Sequence, residues 1–256
     1  VLFRSDEAGG RWDPREGQQD RYRDLQQGHA LVAAEGDLGG VGEGQGQQGK
    51  QQAVDRHAAG ADKIGGQDGN DIIYDGADDD QVSGGKGNDL FIVGGGFDIF
   101  DGNQGIDTID FSLSARAITA NFATGEVTYG NDASPSAFFS NVERLIGTAL
   151  GDTITGDDTD NGISGGAGND TLNGGLGNDT LNGGSGNDAL NGGDGFDTAD
   201  YSAASIALSI TLDGTGASTI TAGGNVGTDT LSGIEGIIAG SGNDTLTASG
   251  SLGVYF

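Results

Sequence analysis

The chain is expected to be all-β: a right-handed parallel β-roll, or β-solenoid, of 18-residue coils built from nonapeptide repeats, preceded by an irregular N-terminal region. Three observations lead there. Nonapeptides recur in tandem and in one register, each repeat carries one apolar position near its end, and 53 Gly with only 34% hydrophobic residues in 256 is too thin for an ordinary core. A scaffold whose units pack on their neighbours accounts for all three.

Residues 1–56 come first and lack the period. Val1-Leu2-Phe3-Arg4-Ser5 looks like a translated sequencing adapter and is left out of fold reasoning. The remainder, to residue 56, is rich in Gln, Gly and Arg without a period of two or 3.6, as expected of a disordered linker or an artefactual segment. The absence of Met is expected of an internal fragment of a longer reading frame.

The first repeat block, 57–110, has nonapeptides starting at His57, Gly66, Asp75, Gly84, Val93 and Gly102. The second, 147–200, starts at Gly147, Gly156, Gly165, Gly174, Gly183 and Gly192, and three of its copies read GGAGNDTLN, GGLGNDTLN and GGSGNDALN. Phase is kept across the gap, because equivalent starts are 45 residues apart. The sixth position holds Asp62, Asp71, Asp80, Asp89, Asp98 and Asp107, then Asp152, Asn161, Asp170, Asp179, Asp188 and Asp197. The eighth is apolar in all twelve repeats, from Ile64 to Ala199.

Glycines at the first, second and fourth positions are expected to permit positive φ and a tight turn whose carbonyls converge. The last three residues are expected to be extended, with the eighth side chain inward. One such strand cannot stand alone, but two repeats close an 18-residue coil, and coils stack at about 4.8 Å. Stacking places Asp62, Asp80 and Asp98 in one column and Asp71, Asp89 and Asp107 in the other. At that spacing two unit charges repel by about 0.9 kcal/mol in water and about 3.5 at an effective dielectric of 20. One apolar residue per nine offers little to offset this.

The charge distribution points the same way. Residues 64–256 carry 28 acidic side chains against Lys86, Arg116 and Arg144, a net −25 of the whole chain's −28. Such a surface excludes nucleic acid and anionic lipid as partners and implies polyvalent cations. With no Cys, the ligands available are hard oxygens. Several calcium ions fit best, bound by Asp62, Asp71, Asp80, Asp89, Asp98, Asp107, Asp152, Asp170, Asp179, Asp188, Asp197 and Asp244, with loop carbonyls such as those of Gly166, Gly168, Gly175, Gly177, Gly184 and Gly186. Magnesium demands a strict octahedron and sheds water reluctantly, so a carbonyl-rich cage disfavours it.

Two connecting segments, 111–146 and 201–238, resemble each other, and a truncated third block occupies 239–256. Each follows an Asp-Thr-x-Asp-aromatic-Ser stretch and ends in an apolar-Glu pair, Val142-Glu143 and Ile234-Glu235. Alternating runs Ile118–Phe122 and Glu126–Tyr129, joined by Ala123-Thr124-Gly125, are expected to form a hairpin that continues or caps the roll.

The nonapeptide resembles the repeats-in-toxin, or haemolysin-type calcium-binding, family, whose repeat reads GGxGxDxUx. The likeness covers 57–110 and 147–200, with poorer copies at 224–232 and 239–247 that contribute Asp229 and Asp244. It implies a parallel β-roll, export through a type I secretion system, a secreted extracellular location and folding on meeting external calcium, as a secretion and stability scaffold of a larger bacterial protein. This sequence departs from the pattern at Asn161, at Gln67 and Asn103 in the second position, and at His57, Asp75 and Val93 in the first.

No catalytic site is expected. His29 and His57 stand in no HExxH, and no GxSxG occurs. Gly44, Gly46 and Gly49 satisfy GxGxxG only by lying in a Gln/Gly tract with no strand before it. No apolar run reaches the roughly 18 residues that span a bilayer. Two other functions suit the same residues: a structural adhesin or ice-binding array on outward Thr and Asn, and a non-catalytic module of a secreted hydrolase or toxin.

Overall fold

Within each nonapeptide the chain extends after the aspartate and turns before the next one. The computed structural model describes residues 52–56, 60–132, 134–212, 217–222 and 226–248, which belong to one compact unit, 48–256. The expectations for residues 1–51 and for the last eight residues lie outside the described residues. The first block forms β1 (Gln52–Arg56), β2 (Lys63–Asp68), β3 (Asp71–Tyr74), β4 (Gln81–Lys86), β5 (Leu90–Ile92), β6 (Asp98–Gln104) and β7 (Thr108–Asp110). The first connecting segment adds β8 (Ile118–Asn121), β9 (Glu126–Tyr129), β10 (Ala137–Ser140) and β11 (Arg144–Ile146). The second block forms β12 (Thr153–Thr155), β13 (Gly162–Ala167), β14 (Thr171–Leu176), β15 (Thr180–Ser185), β16 (Ala189–Asp194) and β17 (Thr198–Asp200). Beyond it lie β18 (Leu208–Leu212), β19 (Ala217–Ala222), β20 (Thr228–Ser232), β21 (Gly236–Ile238) and β22 (Thr245–Ala248). No helix occurs among the described residues.

Repeat strands alternate between two sheets, ordered β1-β3-β5-β7-β11-β13-β15-β17-β21 and β2-β4-β6-β10-β9-β8-β12-β14-β16-β20-β19-β18-β22. Repeat neighbours pair in parallel one coil apart, Ile64 with Val82 and Leu172 with Leu190. This is the parallel β-roll that the period requires. In the first sheet the eighth-position side chains form one ladder in which each residue pairs with the next: Ile73, Phe91, Ile109, Leu145, Ile163, Leu181 and Ala199. All are buried, so the core is continuous through the connecting segment.

The connecting segment widens only one sheet. Where the first sheet inserts β11, the second inserts β10, β9 and β8, with β9 antiparallel to both neighbours. The hairpin expected around Ala123-Thr124-Gly125 joins β8 to β9, with Gly125 at φ 65°. Aromatic pairs pack in and beside this insert: Phe91 on Phe100 at 5.6 Å in the adjoining coil, Phe111 on Tyr129 at 6.2 Å and Phe122 on Phe139 at 5.2 Å between centroids. In the second connecting segment β20, β19 and β18 repeat the pattern.

Two details of the repeat differ from the sequence reading. Strands β13 to β16 are six residues long, not three, and run on through the first three positions of the next nonapeptide. The first-position glycine therefore faces inward on an ordinary extended backbone, whereas positive φ is confined to later positions, such as Gly166 at 101° and Gly168 at 116°. Space is what the first glycine provides. A Cβ on Gly165, Gly174 or Gly183 would overlap the carboxylate of Asp170, Asp179 or Asp188.

Candidate metal centre

Each sixth-position aspartate closes its turn just before a strand, so its side chain is drawn between stacked coils. Asp71, Asp80, Asp89, Asp98, Asp107, Asp152, Asp170, Asp179, Asp188 and Asp197 are all buried, at 2% exposure or less, while Asp62 and Asp244 are half-buried. The columns expected from the period are present. One oxygen of each carboxylate is fixed by backbone of the preceding coil: the Asp62 N–H donates to Asp80 Oδ1 (2.7 Å), Asp80 to Asp98 (3.0 Å), Asp71 to Asp89 (2.8 Å) and Asp89 to Asp107 (2.7 Å). In the second block Asp152 donates to Asp170, Asp170 to Asp188, Asn161 to Asp179 and Asp179 to Asp197, at 2.7–2.9 Å.

The other oxygen is different. Oδ2 of Asp71, Asp89, Asp98, Asp107, Asp170, Asp179, Asp188 and Asp197 is buried and receives no hydrogen bond. A buried acceptor left so is destabilising by about 1–3 kcal/mol, more when charged. A carbonyl of the next coil faces the same gap: a Cβ placed on Gly66 would lie 2.6 Å from Asp71 Oδ2 and 2.5 Å from the Gly84 oxygen. Carboxylate oxygens without donors, beside a carbonyl oxygen, suit a hard cation and nothing softer.

The second position decides which carboxylates are left in this state. Where it has positive φ, as at Gly85, Gly166, Gly175, Gly184 and Gly193, the aspartate of that repeat keeps an unbonded Oδ2. Gln67 and Asn103 hold φ of 79° and 70°, and Asp71 and Asp107 keep theirs too, so those departures from glycine preserve the arrangement. Where the second residue is Thr148 or Asp157, its N–H turns inward and donates to Asp152 Oδ2 (2.6 Å) or Asn161 Oδ1 (2.8 Å). Asp152 also accepts from Thr148 Oγ1 and Ile118 N, which leaves it internally satisfied. At Asn161 the unbonded buried atom is a donor, Nδ2, which faces a cation poorly.

The loop glycines Gly166, Gly168, Gly175, Gly177, Gly184 and Gly186 all have φ between 94° and 138°. Their carbonyls run along the stack: the Gly166 and Gly168 oxygens abut Gly184 and Gly186, and those of Gly175 and Gly177 abut Gly193 and Gly195. Asp244 accepts the Leu208 N–H on Oδ1 (2.9 Å).

Burial pushes these carboxyls toward their neutral form. Asp98 rises to about 9, through desolvation and then the charges of Asp75 and Asp80. Asp107 and Asp170 rise to about 7 and Asp179 to about 6, desolvation again leading. Basic side chains are engaged elsewhere, Lys86 with Asp68 and Arg116 with Asp132 at the surface.

Several members of the columns were not assigned a role from sequence. Glu143 and Glu235 take the place of the next aspartate where each array meets its connecting segment, accepting the N–H of Asp107 (2.8 Å) and of Asp197 (2.9 Å). Glu143 lies nine residues before Asp152 and so keeps phase, which was the available signal. Asp229 extends a column by accepting the Asp188 N–H, but its Oδ2 takes the Tyr201 hydroxyl at 2.9 Å.

The family model of the RTX calcium-binding nonapeptide repeat matches four stretches, 58–91, 141–172, 164–199 and 229–251. No curated protein gives a match to the chain. Period, buried aspartate columns and family match agree: the matched stretches of this chain are RTX calcium-binding nonapeptide repeats.

Proposed function

We propose that this chain is a calcium-dependent folding module, the secreted scaffold portion of a larger bacterial protein exported through a type I system. The repeat is a non-catalytic structural unit, so the reading concerns folding rather than chemistry. The observation that carries it is the row of buried Oδ2 atoms with no donor in reach. Ligands are proposed at Asp62, Asp71, Asp80, Asp89, Asp98, Asp107, Asp170, Asp179, Asp188 and Asp197 with the loop carbonyls, while Asp152 and Asp244 serve mainly as internal hydrogen-bond acceptors. These carboxylate and carbonyl oxygens would form the coordination shell of calcium, which when bound supplies the positive charge the columns lack. At cytoplasmic calcium levels the aspartates repel and the thin core cannot hold the coils; outside the cell they are neutralised and the coils close. No helix among the described residues is long and apolar enough to cross a membrane.

Calorimetric titration of the full chain with calcium and with magnesium tests this reading. Saturable binding of several calcium ions with a large negative heat-capacity change, from burial of the ladders, is expected, and magnesium at equal concentration should give little of either. Equal responses to the two ions would contradict it.

A further inference from the structure

Asp75 is the one carboxylate in a place where the other repeats of the two arrays carry glycine, Val93 or His57. It occupies the first position, which faces inward, and the residues that follow it in that column, Val93 and Phe111, are both buried apolar side chains. Asp75 itself is 1% exposed. One carboxylate oxygen from each of Asp75, Asp80 and Asp98 lies within 4.8 Å of the other two.

A comparison inside the chain shows what Asp75 changes. In the repeat that starts at Gly147, the second-position N–H of Thr148 satisfies Asp152 Oδ2. In the repeat that starts at Val93, the equivalent N–H is that of Gly94, and Asp75 Oδ1 accepts it at 2.7 Å. Asp98, the counterpart of Asp152, is thereby left with an unbonded Oδ2 at 0% exposure, and Asp75 Oδ2 is buried and unbonded as well. Asp75 and Asp98 thus each bring a buried, unbonded carboxylate oxygen, from different columns of side chains, to the neighbourhood of the Asp80 carboxylate. Among the described repeats no other first position contributes a carboxylate.

We propose that Asp75, Asp80 and Asp98 form a separate hard-cation site, richer in carboxylate than the repeat sites, which takes one dehydrated calcium ion where the first array meets its connecting segment. Three carboxylates outweigh a divalent charge, so the site also accepts a trivalent lanthanide. Its burial leaves little room for retained water, which selects against magnesium. The proposal rests on the calcium reading of the columns, because Asp80 and Asp98 belong to both.

The test counts bound calcium on the full chain at pH 8 by equilibrium dialysis, for wild type, Asp75→Gly and Asp75→Asn. Asp75→Gly restores the residue usual at that position, and Asp75→Asn keeps the shape without the charge. Each variant is expected to bind one ion fewer while retaining the calcium-induced gain of β circular dichroism. An unchanged count with that gain intact overturns the Asp75 site and leaves the folding module standing, whereas a wild type that gains no β signal contradicts the folding module. Terbium gives a readout that needs no Asp75 variant, since Tyr129 packs on Phe111, which stands in the column of Asp75, and can sensitise an ion held there. Tyr-excited terbium emission is expected to lose one component in Tyr129→Phe, which keeps the ring; identical emission from the two proteins overturns the proposal.

Discussion

Sixth-position Asp179 has two unlike oxygens: Oδ1 holds the Asn161 N–H of the preceding coil, and Oδ2 is buried without a donor. Asp179→Asn keeps an acceptor for the first duty and loses the charge needed for the second. The expected result is a calcium midpoint for folding raised about tenfold, near 1.4 kcal/mol, read by titration at constant ionic strength. Tyr201 and Asp229 form a pair whose counterpart is apolar: Phe111 stands in the place of Tyr201, and Ala137, which pairs with Asp98, in that of Asp229. Tyr201→Phe should therefore lower stability in urea by about 1–3 kcal/mol through the abandoned Oδ2. Adding Asp229→Ala should recover part of that loss. The aspartates were legible because period nine numbers them; this pair was not, because the insert of β18 and β19 separates its members and only strand register brings them together.

At the level of strands, the sequence contains the hairpin and the duplication but not the pairing order. Alternation marks β8 and β9 as strands, yet nothing in it says that β7 would skip the insert and pair directly with β11. Leu145 makes that bridge, fully buried between Ile109 and Ile163. Leu145→Ala is expected to cost about 2–5 kcal/mol and to break the ladder where the two arrays join. Amide hydrogen exchange in calcium should then show the first block, 60–110, opening independently of 147–200; uniform protection across both would contradict the role given to Leu145. The extra length of the repeat strands also escaped a reading by residue type, because glycines at the first two positions suggest a turn. The first of them is extended all the same, and it is glycine because a Cβ on Gly165, Gly174 or Gly183 would overlap the neighbouring carboxylate.

For the molecule as a whole, composition already set the balance: an apolar ladder one residue wide on each side, against a net charge of −28. The structure adds the protonation state. Desolvation raises Asp75, Asp179 and Asp229 to about 6, Asp107 and Asp170 to about 7, and Asp98 to about 9. Between the ordinary carboxylate value of 3.8 and those values the folded chain holds more protons than the unfolded one, so metal-free stability must fall as pH rises through that window. In chelator the melting temperature should be highest near pH 4 and decline toward pH 9. In saturating calcium the slope from pH 5 to 7 should reverse, because binding requires the deprotonated carboxylates and releases their protons.

Far-UV circular dichroism of the full chain at pH 8, first in excess chelator and then with calcium added in steps, tests most directly whether the buried aspartates hold the coils apart until a cation arrives. The account predicts an unfolded spectrum in chelator and a cooperative rise of β signal with calcium that magnesium does not reproduce. A fully formed β spectrum in chelator at that pH, unchanged by calcium, would contradict it.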